Sequence, residues 1–264
     1  MSSLLIKPNG QQGTVIDITP ENAGWSFVGF KLVKLKSGDI FKFQTEDREY
    51  CLVPITGAFD ASTNDIQFEG VGGRQNLFAQ ELTEHLFVPE KTRVTITAAG
   101  DLELGMCSAP GGSGLPARRI GRSDQAQSTR GQGTNTRYIH DILPETQPAN
   151  SLLVVEVFTP AGNWSSYPPH KHCNDNIPEE SALEETYYHR INPPQGFAFQ
   201  RVYTDDRSID ETMAVEDGDC VKVPKGYHPV GAPHGYDNYY LNVMAGPKRV
   251  WHFKNDPEHE WMIR

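Results

Sequence analysis

The 264-residue chain has no run of about 18 apolar residues, so no segment reads as a membrane-spanning helix. Residues 1–10 lack the apolar stretch of a secretory signal, and the expected location is the cytoplasm. Cysteine is scarce: Cys51, Cys107, Cys173 and Cys220 are widely spaced, as expected for reduced thiols rather than a disulfide framework. Positive charge is also short, with 24 Lys and Arg against 34 Asp and Glu and a formal net charge of −10. That balance argues against nucleic acid as a partner, because phosphate binding draws on clustered cations. It leaves room for a small acidic substrate, which needs only a local positive pocket. Helical periodicity is weak throughout.

What the chain does have is turn formers and aromatics: 24 Gly, 19 Pro, 12 Phe and 10 Tyr. Apolar residues alternate in pairs such as Phe41/Phe43, Val94/Ile96, Phe197/Phe199 and Leu241/Val243. This is the period of strands buried on one face. The expected class is all-β.

Two halves follow one plan. LFVPEKTRVTITAAGDLELGMCSAPG in the first half parallels CVKVPKGYHPVGAPHGYDNYYLNVMAGP in the second. Both run through a strand, Val-Pro, a turn, two further strands and an Ala/Pro/Gly end. An internal duplication is the simplest account. The expected division is an N-terminal domain over 1–110, a linker or interdomain segment over 111–149 rich in Gly, Ser, Gln, Thr and Arg, and a C-terminal domain over 150–264. RYIHDIL at 137–143 reads as a strand within the linker.

The residues that carry chemistry lie in the second half. His170 and His172 are two apart, so on a strand both face one way. Glu185 and His228 follow on later strands. Three imidazoles and one carboxylate make a site for one divalent transition metal, Zn, Mn, Fe, Co or Ni, with positions left open for substrate. Glu179, Glu180 and Glu184 are rival carboxylates, and Cys173 is read as a bystander. Laying Val88-Pro89 on Val223-Pro224 puts Arg93 against His228, Phe41 and Phe43 against the two histidines, and Glu49 against Glu185. A pocket of that kind holds a cation poorly, so the first half is read as supporting, with Arg93 buried and paired to Glu49.

Strand parity supplies further candidates. Tyr187 shares a face with Glu185, and Tyr240 with Asn242. Tyr187 and Tyr240 are candidate catalytic residues and Asn242 a candidate substrate contact. Phe197, Phe199, Arg201 and Tyr203 share a face, and Arg201 is the expected fork for a substrate carboxylate, with Tyr203 beside it. His234 lies in a Gly/Pro-rich loop and is read as a surface residue.

These residues resemble the cupin superfamily, in which an HxH pair plus Glu is followed by a His after a Gly-Pro-Gly segment, here Gly218, Pro224, Gly226 and His228. PPHKH, ESALEETYYHRINPPQGFAFQRVYT, VPKGYHPV, NYYLNVMAGP and RGQGTNTRYIHDILP further resemble the 5-deoxyglucuronate isomerase family of bacterial myo-inositol catabolism. The likeness covers nearly the whole chain. A related family is 5-keto-4-deoxyuronate isomerase of pectin breakdown. The resemblance implies a bicupin, two jelly-roll β-barrels in one chain, and metal ligands at His170, His172, Glu185 and His228. It implies an aldose–ketose isomerisation of 5-deoxy-D-glucuronate, by proton transfer or by hydride shift. A cupin dioxygenase and a non-enzymatic sugar-binding module are the competing readings. A homo-oligomer is open, since β-edges can pair between chains.

Overall fold

The structure, a computed structural model, describes residues 2–64 and 66–263. It is built almost wholly from antiparallel strands. Among the described residues the α-helix is a single turn, Pro20–Ala23, and no helix is long and apolar enough to cross a membrane. The chain forms two compact units. One comprises Pro8–Ala126 with Asp141–Val154, and the other Met1–Lys7 with Gln127–His140 and Val155–Arg264. The stretch 111–149 therefore contributes to both, through strands Arg118–Ile120, Ala126–Arg130 and Arg137–Leu143.

In the first of these units the long strand Arg48–Thr63 is central. It pairs with Leu102–Pro110, His85–Val88, Ile66–Arg74 and Arg93–Ala98. Leu52, Phe59, Leu86, Val94, Ile96 and Leu104 fill its core, and Phe41, Phe43 and Tyr50 pack half-buried against them. Arg93 does not join them. Val94 and Ile96 take the inward positions of their strand, so parity turns Arg93 out to solvent. The expected buried Arg93–Glu49 pair is therefore absent. Glu49 is fully buried, but its carboxylate is met by backbone amides: Oε2 accepts from Asn150 at 2.8 Å, and Oε1 from Ser151 at 2.7 Å and Leu152 at 2.8 Å.

The register of the two units also corrects the expected equivalence of Glu49 and Glu185. Val88 stands opposite Tyr50, and Ala109 opposite Glu49. In the other unit Val223 stands opposite Glu185, and Ala245 opposite Glu184. Tyr50 thus holds the position of Glu185, one residue from the place that sequence overlay assigns.

The second unit has a seven-stranded sheet. Its order is Leu5–Ile6, Cys220–Val223, Glu184–Asn192, Asp237–Ala245, Leu153–Thr159, Arg137–Leu143 and Ala126–Arg130. A four-stranded sheet runs Trp164–Ser165, Val230–Gly231, Phe197–Tyr203 and Asp210–Glu216. Val155, Tyr187, Val221 and Tyr240 from the first sheet share one core with Val202, Met213, Val215 and Val230 from the second. The alternating pattern of each strand buries one set against the opposite sheet, which is the packing of a β-sandwich or flattened barrel.

Glu49 offers a test of how the first unit is held. Glu49→Ala leaves three backbone donors without their acceptor, at a cost of about 3 kcal/mol. The expected result in chemical denaturation is a midpoint shifted to lower denaturant, with Glu49→Gln intermediate because its amide oxygen still accepts. An unchanged midpoint for Glu49→Ala refutes this account.

Candidate metal centre

Four separate segments of the second unit converge on one point. His170 lies in a two-residue strand paired with Lys254–Asn255, and His172 follows it. Between them Lys171 is buried and its ammonium pairs with Asp205. Glu185 comes from the strand Glu184–Asn192. His228 sits in the loop before Val230–Gly231, two residues after Gly226. Gly226 has φ +98°, and a Cβ there would lie 2.4 Å from the Tyr203 carbonyl oxygen, so the turn that delivers His228 requires glycine.

The ring orientations are set by backbone. The Nδ1–H of His228 donates to the Gly226 carbonyl at 2.8 Å, and that of His172 to the Leu183 carbonyl at 3.3 Å. Both rings then turn Nε2 toward Glu185. Glu185 Oε2 lies 3.1 Å from His172 Nε2 and 3.3 Å from His228 Nε2. One nitrogen from each of His170, His172 and His228 lies within 4.8 Å of the others. Ligand atoms about 2.1 Å from a shared ion sit roughly 3–3.5 Å apart, and the two Glu185–imidazole spacings fall in that range. His228 Nε2 is also buried without a hydrogen-bond partner among the described residues. A buried lone pair without a donor is what a cation satisfies. The donors fit a first-row divalent metal.

The electrostatics agree. Burial, with the neighbouring His228 and His172, pushes His170 well below its ordinary value. Burial brings His228 down to about 4. Burial lowers His172 too, but the hydrogen bond and charge of Glu185 outweigh it and raise the group. Two imidazoles are thus held neutral and ready to coordinate. The third is drawn toward the carboxylate, which favours positive charge at that point.

The rival carboxylates are placed elsewhere. Glu180 Oε1 accepts from the amides of Cys173 and Asn174 at 2.8 and 3.1 Å, Glu179 is exposed, and Glu184 lies on the opposite face of its strand from Glu185. Cys173 is half-buried and free, and His234 is exposed.

Beside the histidines stands a chain of hydroxyls. Ser166 Oγ lies 3.0 Å from Tyr187 Oη and 3.5 Å from Tyr240 Oη, all buried. The Tyr187 ring is 5.6 Å from that of His228. Burial first, then Glu185 and Tyr240, raise the Tyr187 phenol well above its ordinary value, so it stays protonated. Asn242 is directly opposite Tyr187 in the sheet and is buried, its Nδ2 unpaired among the described residues. Deeper in, His189 bridges Asn238 Oδ1 at 3.1 Å and Gln200 Oε1 at 3.0 Å. A cavity of about 550 Å³ reaches this group at His170, and Arg137, Gln132, Tyr167 and Asn255 also line it.

The structure does not bring Arg201 and Tyr203 to the site. Their strand alternates as its sequence indicates, but Ala198, Gln200 and Val202 face inward, and Phe197, Phe199 and Arg201 face out. Arg201 is closed by Asp210 through Nε and Nη2, both at 2.8 Å, and the Tyr203 hydroxyl donates to Asp256 at 2.7 Å. Period two fixes which residues share a face and leaves open which face is inside. Sequence reading also missed Ser166, in an SSYPP stretch without periodicity, and His189, whose parity with Glu185 and Tyr187 was available. Arg201→Ala is therefore expected to leave metal content unchanged and kcat/KM within about twofold of wild type, since an exposed ion pair contributes little. A loss of tenfold or more would return Arg201 to the site.

Comparison with known proteins agrees with this architecture. The model of the KduI/IolB family matches residues 4–262. A 5-deoxy-glucuronate isomerase of Geobacillus kaustophilus is 53% identical over 266 residues, covering 100% of this chain and 96% of the relative. That of Geobacillus thermodenitrificans is 55% identical over 256 residues, covering 97% and 93%. The crystal structure of an IolB-like protein from Salmonella typhimurium superposes with a TM-score of 0.98 at 49% identity, covering 100% of both chains. Oxalate decarboxylase of Bacillus subtilis shares the fold, with a TM-score of 0.64 at 13% identity over 97% of this chain and 80% of its own. The fold is that of a bicupin, and the chain belongs to the KduI/IolB family.

Proposed function

We propose that the chain is a metal-dependent aldose–ketose isomerase that converts 5-deoxy-D-glucuronate into 5-dehydro-2-deoxy-D-gluconate in myo-inositol catabolism. The observation that carries the reading is the buried convergence of His170, His172 and His228 on Glu185, with His228 Nε2 unpartnered at the centre. The activity named for relatives at about half identity over the full chain supports it.

A bound divalent cation would supply Lewis-acid polarisation of the sugar carbonyl next to its hydroxyl. The chain's own residues supply the rest. His172 and His228 are held by the Leu183 and Gly226 carbonyls, so the donor set is preorganised. The isomerisation moves one hydrogen from C2 to C1 and one hydroxyl proton from O2 to O1. Tyr187 Oη, Ser166 Oγ and Tyr240 Oη form a short hydroxyl chain beside the donors. Each oxygen both donates and accepts, so the chain can take a proton at one end and return one at the other. The Asn242 side-chain amide, opposite Tyr187 and bearing on its phenol, is a candidate donor for a substrate oxygen.

The purified protein should carry about one divalent transition metal per chain, the number that one donor set implies. Metal-loaded protein, kept anaerobic, should convert 5-deoxyglucuronate to the ketose, followed by NMR. His172→Ala should lose most of the metal by elemental analysis, and the activity with it. Full activity in exhaustively chelated protein, or turnover only with oxygen, would reject the reading.

Tyr187→Phe removes one hydroxyl and keeps the ring packed. The expected result is normal metal content and a kcat lowered by about a hundredfold, the usual scale of a positioned proton donor. A kcat equal to wild type would show that the hydroxyl chain serves packing alone.

A further inference from the structure

Arg137 opens the strand Arg137–Leu143 and lines the same cavity as His170. Its Nη1 donates to two backbone carbonyls, those of Asn135 at 3.1 Å and Tyr167 at 3.2 Å. Those bonds fix the plane of the guanidinium. Its other edge, Nε and Nη2, has no partner among the described residues, and no carboxylate pairs with it.

That is unlike the other arginines of this unit that carry partners. Arg190 Nε pairs with Asp217 at 2.7 Å. Arg201 uses its Nε–Nη2 edge to grip Asp210. The same edge of Arg137 is empty, although the group is half-buried, and burial first, then the charge of Arg130, depresses its pKa. Arg130 itself lies over the Trp251 ring at 5.4 Å and makes no ion pair among the described residues. Two cations without counter-charges therefore stand near His170, in a chain whose net charge is −10. A partly buried guanidinium without an anion is costly unless a ligand supplies one.

We propose that the free Nε–Nη2 edge of Arg137 grips the carboxylate of the sugar acid, while the opposite end of the sugar, with its carbonyl and neighbouring hydroxyl, lies at the histidines. The inference rests on the function proposed above. It makes Arg137 the residue that selects an acidic sugar over a neutral one. The field of Arg130 reinforces the choice, and the side-chain amides of Gln132 and Asn255 along the same wall are placed for sugar hydroxyls. A side-on guanidinium fork matches a carboxylate with two parallel hydrogen bonds, and a lysine cannot reproduce that geometry.

The test compares wild type, Arg137→Gln and Arg137→Lys, each metal-loaded. Substrates are 5-deoxyglucuronate and 5-deoxyglucose, its neutral counterpart with a primary alcohol in place of the carboxylate. For Arg137→Gln the expected kcat/KM on the acid falls by about a hundredfold, mostly through KM, the scale of a charge-assisted bidentate contact. Activity on the neutral sugar changes little, so the acid-to-neutral preference collapses. Arg137→Lys keeps part of it and serves as the folded control, and metal content stays at the wild-type value in both. An unchanged preference in folded, metal-loaded Arg137→Gln overturns the assignment and leaves the proposed function standing. If wild type turns over neither sugar, the function fails, and Arg137 is then judged by equilibrium dialysis with D-glucuronate. Binding at least about tenfold tighter to wild type than to Arg137→Gln supports the grip, and equal binding overturns it.

Discussion

A carboxylate buried to 1% exposure is the constraint around which the second unit is arranged. Glu185 has left water, and a buried carboxylate is costly unless donors or positive charge close by answer it. What faces it is two imidazole nitrogens, at 3.1 and 3.3 Å. Imidazoles can answer a carboxylate only by taking up a proton or by sharing a cation with it. Burial works against protonating His170 and His228, so the cluster favours the cation. The polar fittings around it follow from the same demand. Two backbone carbonyls fix the ring tautomers, Gly226 permits the turn behind His228, and the Lys171–Asp205 pair disposes of the ammonium between the two histidines.

The two units show how little separates a pocket of this kind from a plain core. Their sheets share one strand order around a central antiparallel pair, and Tyr50 stands where Glu185 stands. With an aromatic ring at that point, packed on Phe43 at 5.2 Å, there is no charge to satisfy, and the first core closes with aliphatic and aromatic side chains. Glu49, a fully buried carboxylate of that unit, is one position away and serves the opposite side of the strand, as an acceptor for three amides.

Much of this was legible in the sequence. All-β class, duplication and the grouping of His170, His172, Glu185 and His228 came from period-two alternation and ligand chemistry, both of which are local. The misreadings share one physical origin. Arg201 was given an inward position because its strand alternates, and Arg93 because overlay of the halves set it against His228, yet neither alternation nor overlay says which side faces the core. In Phe197–Tyr203 the phenylalanines face out and the inward set is Ala198, Gln200 and Val202. An interior that holds polar groups such as His189 reverses the usual apolar-inside rule. The overlay of Glu49 on Glu185 failed by one residue, the smallest error that moves a side chain to the other face. Arg137 lay in a stretch whose composition reads as linker, and only the empty edge of its guanidinium marks it out.

The strand Leu5–Ile6 has a consequence for the order in which the molecule can form. It closes the edge of the seven-stranded sheet against Cys220–Val223, and Lys7 Nζ pairs with Asp219 at 2.8 Å, 212 residues away in sequence. On the ribosome these first residues emerge long before their partners exist. The first unit carries its core strands within Pro8–Ala126 and can collapse early. Leu5–Ile6 instead waits for Cys220–Val223, the strand that pairs with that of Glu185, to be made. Pairings of such long sequence separation are slow to form. The histidine pocket therefore cannot close before His228 and the Lys254–Asn255 strand that pairs with His170 have been made.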